Sequence, residues 1–293
     1  MPYALLTSKC SYNELTVETR ALYDALAAQF DRVMLVDPRL VFYEFIRGAY
    51  EFDVIYGDRC IDDAAVLAIR STNERETSTS ILAHTLHGHG VRINDPLSRF
   101  GTPRASKLLT TLRWYRQGCG PSSFIGFDRQ ITLDRLGSAW DRGFYPMFGK
   151  PINGSHRRDL APLDTYAQMR DYVTTFFDTA QPDTPILIQQ KIDIYREWRV
   201  MLYDGMVLGM VRKTPRRRAF LNEWDDGIAA FTKANVSNEG LLGVDVAQDC
   251  AGEYYIIESN RAPEWERFEQ VTGVNVAQYI AIKLREDTER TLS

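Results

Sequence analysis

The sequence predicts an α/β protein, with a small parallel sheet near its N-terminus and antiparallel hairpins towards its C-terminus. Three observations lead there. Short apolar runs alternate with helical patterns over residues 1–95, the order that builds a parallel sheet under covering helices. Beyond Ile194 the pattern turns to adjacent strands joined by tight turns, with Asp204-Gly205 as the clearest signal. A chain of 293 residues, 44% hydrophobic and 25% charged, can bury a sizeable core.

The elements follow in order. "PYALLTSK" reads as the first strand, and "SYNELTVETRALYDALAAQF" as a helix with Ser11 as its cap. "RVMLVDP", "FDVIYG" and "AAVLAIRST" are three further apolar runs stopped by turn residues, all expected in the parallel sheet. "TSTSILAHTLHGHG" is a helix ending at Gly88 or Gly90, and "VRINDP" a last short strand. "PRASKLLTTLRWYRQG" is then a helix closed by glycine, "SSFIGF" a strand, and "TLDRLGSAW" a helix. "FYPMFGKPINGS" is a strand entering a Gly/Ser turn, "LDTYAQMRDYVTTFFDTA" an amphipathic helix, and "PILIQQKIDI" an apolar strand. Two hairpins, "EWRVMLYDGMVLGMVRK" and "LLGVDVAQDCAGEYYIIESN", precede a closing helix, "NVAQYIAIKLREDTER". The expected divisions are residues 1–95, 96–185 and 186–293.

Composition excludes several classes. The net charge of −4 predicts no general attraction to nucleic acid or membrane. No stretch approaches the length of a membrane span, and the first residues lack the pattern of a signal peptide. The four cysteines are scattered without CxxC spacing, so free thiols in a reducing cytoplasm are expected.

The chemistry-bearing residues gather late in the chain. The run Tyr254 to Ile257 reads as a strand buried on both faces, yet it ends in Glu258, Ser259 and Asn260. A carboxylate ending a core strand is costly without a partner for its charge. Asp245 lies on the preceding strand, and Glu258 and Asn260 share a face. Two carboxylates and an amide oxygen suit Mg²⁺ or Mn²⁺ and not zinc; a strand-end Glu reaching solvent is the competing reading. Lys150 precedes a loop of small residues, where backbone N–H groups can approach a phosphate. Arg212, Lys213 and Arg216–Arg218 form a basic run, read either as an anion clamp or as a solvated or nucleic-acid-binding loop. His84, His87 and His89 read as a solvated helix end rather than a metal site. His156 lies in the loop beyond Lys150. Trp224–Asp226 and "EWERFE" read as serving packing and solubility rather than as shaping an acceptor pocket.

Two lysines, the strand "ILIQQKI", the strand "EWR", a basic loop and then Asp…Glu-x-Asn together resemble the ATP-grasp superfamily, and within it the RimK-type carboxylate–amine ligases. "GLLGVDVAQDCAGEYYIIESNRAPEWERFEQVTGVNVAQYIA" carries most of the resemblance, and "PMFGKPINGS" matches the second-lysine strand and its lid. The resemblance implies an ATP-grasp fold preceded by a small α/β domain. It implies ATP with Mg²⁺ or Mn²⁺, and amide formation through an acyl phosphate. Lys107 and Lys150 would hold the phosphates beneath a lid containing Gly154 and Ser155. Gln190, Lys191 and Ile192 would form the adenine hinge through their backbones, and Glu197 would meet the ribose. Asp245, Glu258 and Asn260 would hold the metal. Arg199 and Arg212 would face the phosphates or the carboxylate substrate. The partners implied are an amino acid or other amine and a carboxylate acceptor, with dimers or tetramers common among related enzymes. The chain departs from the family in having Gln190 at the hinge where Glu is common, and in its "NGSHRRD" lid. A phosphotransferase on the same scaffold and a nucleotide-binding module without turnover are the alternatives.

Overall fold

The run Tyr-Ala-Leu-Leu-Thr has no polar side chain to turn outward until its end, and it becomes β1 (Tyr3–Thr7), an interior strand of a parallel sheet. The computed structural model describes residues 2–44, 53–70, 76–95, 107–150, 161–181, 183–214, 219–236 and 240–292. Contacts divide the chain into two compact units. One comprises Met1–Arg104, Trp198–Val244 and Asn260–Ser293; the other comprises Ala105–Glu197 and Asp245–Ser259.

In the first unit β1 is followed by α1 (Val17–Ala27), β2 (Arg32–Val36), β3 (Val41–Glu44), β4 (Asp53–Tyr56), β5 (Arg59–Cys60), β6 (Val66–Ala68), α2 (Glu76–Gly88) and β7 (Arg92–Ile93). The parallel sheet runs β2-β1-β6-β7. Alternation along β1 sends Ala4 and Leu6 into one core with α1 and the C-terminal helices, and Leu5 into another with Val54, Leu67 and Leu82. The helix expected from Ser11 is two pieces. Ser11 caps a 3₁₀ turn, Tyr12–Glu14, and Thr16 caps α1 by accepting from Thr19 N–H. "FDVIYG" does not join the parallel sheet. As β4 it pairs antiparallel with β3 and β5 in a separate three-stranded sheet, because Gly57, at φ 65°, reverses the chain at once into β5.

The second unit contains α3 (Lys107–Arg116), β8 (Ser123–Gly126), α4 (Arg129–Asp141), β9 (Met147–Lys150), β10 (Ala161–Leu163), α5 (Tyr166–Thr179) and β11 (Ile186–Gln190). The sheet order is β10-β9-β11-β8, and α4 and α5 cover it around Leu136, Met169, Val173 and Ile188. Packing is close enough to demand glycine. A Cβ on Gly149 would lie 2.2 Å from the ring of Tyr172 on α5.

The remaining strands are β12 (Ile194–Tyr203), β13 (Met206–Lys213), β14 (Phe220–Asn222), β15 (Leu241–Asp249) and β16 (Tyr254–Asn260), with α6 (Asp226–Asn235), α7 (Glu266–Thr272) and α8 (Val276–Leu292). They form a sheet in the order β14-β13-β12-β15-β16. Asp204 and Gly205 both have positive φ, 45° and 75°, the two-residue hairpin turn that their sequence predicts. Trp265 and Phe268 of "EWERFE" are buried in the first unit's core, which is the packing role expected. The expectation that β16 is buried on both faces is overturned. It is an edge strand on which only Ile256 is buried, and Glu258 is exposed.

Gly149→Ala is expected to lower stability by about 1–3 kcal/mol, read as a fall in the urea midpoint. An unchanged midpoint would mean that α5 does not bear on β9 as described.

Candidate active site

A cavity of about 400 Å³ opens within the second unit. Three chain segments wall it: Gly120–Ser122 ahead of β8, Gln190–Asp193 leaving β11, and the Asp249–Ala251 turn with Tyr255 on β16. Each is set by local chemistry. Gly118, at φ 70°, ends the α3 region, and Gly120 sits where a Cβ would come within 3.0 Å of Trp114. Asp249 holds its own turn, accepting from Ala251 N–H and Glu253 N–H, each at 2.9 Å, and from the Tyr255 hydroxyl at 3.2 Å.

Backbone hydrogen bonds join the segments. Gln190 N–H donates to Ser122 O, Lys191 N–H to Pro146 O and Ile256 N–H to Cys119 O, each at 2.8 Å. Among the described residues, the Ile192 N–H meets no acceptor. The Lys191 ammonium is engaged by Asp164 at 3.4 Å and lies 5.7 Å from the centre of the Phe148 ring. What these residues offer the cavity is therefore main chain more than side chain. Cys250 faces Asp193, with Sγ 3.7 Å from Oδ2. Desolvation first, and then the Asp193 and Asp249 carboxylates, raise its thiol pKa. Burial and Asp249 likewise raise that of Tyr255.

The other expected site residues are placed as follows. Lys150 ends β9, opposite Leu187 on β11. That is three residues up the ladder from Gln190, about 10 Å, comparable with the reach from a nucleotide's base to its phosphates. Lys107 is the first residue of α3, and its side chain lies outside the described residues, as do Gly154, Ser155, His156 and Arg216–Arg218. Glu197 on β12 and Asp245 on β15 are buried, 7% and 4% exposed. Glu258 and Asn260 stand two apart on β16, the strand beside β15. Asp249 N–H donates to Glu253 O at the start of this hairpin. Strict alternation from that bond turns Asp245 and Glu258 to opposite faces, so the two carboxylates meet only if the ladder carries a β-bulge. Asn260, Arg199 and Arg212 belong to the first unit. The aliphatic stem of Arg199 lies beside Gly243, and Arg212 Nε is 2.6 Å from Glu223 Oε2.

The three hinge residues therefore come together in one cavity wall. Sequence reasoning did not find Ser122, Asp193, Asp249 or Tyr255. Only Asp249 carried a signal, an Asp ahead of a Cys-Ala-Gly turn; the others enter the wall through pairings distant in sequence.

The small parallel sheet, the covered β8–β11 sheet and the five-stranded sheet constitute an ATP-grasp fold, as expected. The chain superposes on the ATP-grasp ligase PsnB, solved with precursor peptide PsnA2 and AMPPNP, with a TM-score of 0.71 and 16% identity over 98% of this chain and 97% of that one. It superposes on a RimK domain ATP-grasp protein from Sphaerobacter thermophilus with a TM-score of 0.67 and 18% identity, covering 96% and 98% of the two chains. Among curated proteins, the α-aminoadipate–LysW ligase LysX of Sulfolobus acidocaldarius is 25% identical over 243 residues, 76% of this chain and 84% of its own length. No protein-family profile matches the chain. Among the described residues, no helix is long and apolar enough to cross a membrane.

A molecule seated in the cavity must cover Cys250. Mg·AMPPNP is expected to slow iodoacetamide labelling of Cys250 several-fold and to leave exposed Cys60 unchanged, read by peptide mass mapping. Without nucleotide, Cys250 labelling should rise with pH through its elevated thiol pKa. Equal labelling of Cys250 with and without nucleotide would place the nucleotide elsewhere.

Proposed function

We propose that the chain is an ATP-dependent carboxylate–amine ligase that forms an amide through an acyl phosphate. The observation that carries this reading is the cavity framed by the Gln190–Ile192 backbone in a chain with the ATP-grasp fold. An adenine edge needs one acceptor and one donor from main chain, and a hinge with an unengaged N–H at Ile192 supplies the donor. Lys150, and Lys107 at the start of α3, are assigned to the phosphates, and Glu197 to the ribose. The lid with Gly154 and Ser155 is assigned to exclusion of water.

In the first step a carboxylate oxygen attacks the γ-phosphorus, the bond to the β–γ bridging oxygen breaks, and ADP leaves. In the second an amine nitrogen attacks the acyl carbon, the carbon–oxygen bond to phosphate breaks, and the amine loses a proton. The products are an amide, ADP and phosphate. Negative charge grows on phosphate oxygens in the first step, so the site needs fixed cations more than it needs a nucleophile. Asp245, Glu258 and Asn260 are an all-oxygen donor set whose chemistry suits Mg²⁺ or Mn²⁺; Asp245 is nearly buried and Glu258 exposed, and the two would share an ion only across a β-bulge in the β15–β16 ladder. Bound there, the metal supplies charge neutralisation at the phosphates. Arg199 and Arg212 are assigned to the phosphates or the carboxylate substrate; for Arg212 this means sharing its guanidinium with Glu223. The substrates proposed are an amino acid or other amine and a carboxylate borne by a peptide, protein or small molecule.

Purified protein with Mg²⁺ and ATP is expected to release ADP and phosphate when a matched carboxylate and amine are both present, with the amide detected by mass spectrometry. A stable phosphorylated product without amide would make it a phosphotransferase; AMP and pyrophosphate would rule out the acyl phosphate. Asp245→Asn is expected to lower turnover by about 10²–10³-fold with the thermal midpoint retained. Unchanged turnover would remove Asp245 from the metal set.

A further inference from the structure

We propose that Arg70 anchors a carboxylate of the ligase's substrate at the C-terminal edge of the parallel sheet, an inference that rests on the ligase reading above. In the order β2-β1-β6-β7, the chain leaves β1 on one side for β2 and is joined on the other by β6. The ends of β1 and β6 therefore flank the switch point, the place where open α/β sheets receive ligands. Thr7 ends β1 and Arg70 follows β6. The Thr7 hydroxyl accepts from Arg70 N–H at 2.9 Å and donates to Arg70 O at 3.2 Å. The Asn94 side chain grips Ile69 in the same way, accepting from its N–H at 2.7 Å and donating to its carbonyl at 3.3 Å. The backbone beneath Arg70 is thus held from both sides.

The guanidinium meets no such grip among the described residues. Arg70 is only 8% exposed, and its side chain lies over the Trp265 ring at 4.2 Å from the centroid. Among the described residues it makes no side-chain hydrogen bond or ion pair. Arg261, also in this unit, has Asp95 at 3.0 Å. A nearly buried cation with five N–H donors and no acceptor among the described residues is costly, and a guanidinium placed over a ring can still offer its N–H edge to a planar, two-oxygen acceptor. Burial lowers its pKa, while Glu18 and Glu264 act in the opposite sense. Those same two carboxylates oppose a doubly charged phosphate more than a singly charged carboxylate, and they favour a ligand that also carries an ammonium. Trp265 follows Asn260 in the same unit by five residues, no more than about 18 Å of chain, so the ring beneath Arg70 lies within substrate dimensions of Asn260.

The test uses the full chain with Mg·AMPPNP, free amino acids, their N-acetyl derivatives, the α-amide of each, and inorganic phosphate, read by thermal shift and calorimetry. At least one carboxylate probe is expected to bind and its amide counterpart to fail. Free and N-acetylated probes distinguish an amino-acid substrate from a peptide one. Arg70→Met and Arg70→Lys are expected to weaken the carboxylate probe about 10–100-fold and to leave Mg·AMPPNP affinity unchanged. The unliganded thermal midpoint of Arg70→Met should change little, because the charge removed has no hydrogen-bonded acceptor among the described residues and its contacts are limited to the Trp265 ring and the fields of Glu18 and Glu264. If Arg70→Met does not fold, Arg70→Lys carries the same readout. The inference is overturned if no carboxylate probe binds, if amides bind equally, if phosphate binds more tightly, or if the variants retain carboxylate affinity. Failure of the ligase reading shows separately, as absence of Mg·AMPPNP binding.

Discussion

Three main-chain hydrogen bonds, from Gln190 to Ser122, from Lys191 to Pro146 and from Ile256 to Cys119, hold together the walls of the candidate site. They join segments separated by more than sixty residues in two of the three cases, so the cavity exists only once the β8–β11 sheet and the β15–β16 hairpin are formed. Because the bonds use peptide groups, the side chains at those positions are free to vary without loss of the frame. Lys191 can therefore direct its ammonium to Asp164 without disturbing the frame.

Buried charge is the second constraint. Asp245 and Glu197 are nearly inaccessible acids within strands, and such groups persist only with partners. Glu258, by contrast, lies exposed at the end of an edge strand, where water solvates a carboxylate well enough that no metal is needed to explain it. Asp245 is thus the buried carboxylate of the expected metal set and Glu258 the solvated one. Arg70 is a nearly buried charge of the opposite sign.

Much of the secondary structure was legible in the residues. Asp204-Gly205 requires positive φ at both positions, and the turn formed there has it. β1, β6 and β11 became interior strands because their runs are apolar on both faces until Thr7 in β1 and Gln189 in β11. The misreadings had long-range causes. "FDVIYG" carries the same pattern as the parallel strands, but Gly57 sends it back on itself before it can reach them. "EYYIIES" is as apolar as a core strand, yet it lies at the edge of its sheet and only Ile256 on it is buried.

By itself the sequence determined the class of fold and singled out the Gln190–Ile192 segment that lines the cavity, because periodicity, turn residues and short motifs act over a few neighbouring positions. Tertiary structure alone decided which residues share the cavity wall with that segment, that β16 is an edge, and that Arg70 lies over Trp265 with no acceptor among the described residues. Those outcomes depend on contacts between positions as distant as 70 and 265, and no local pattern encodes which partner a buried side chain will meet.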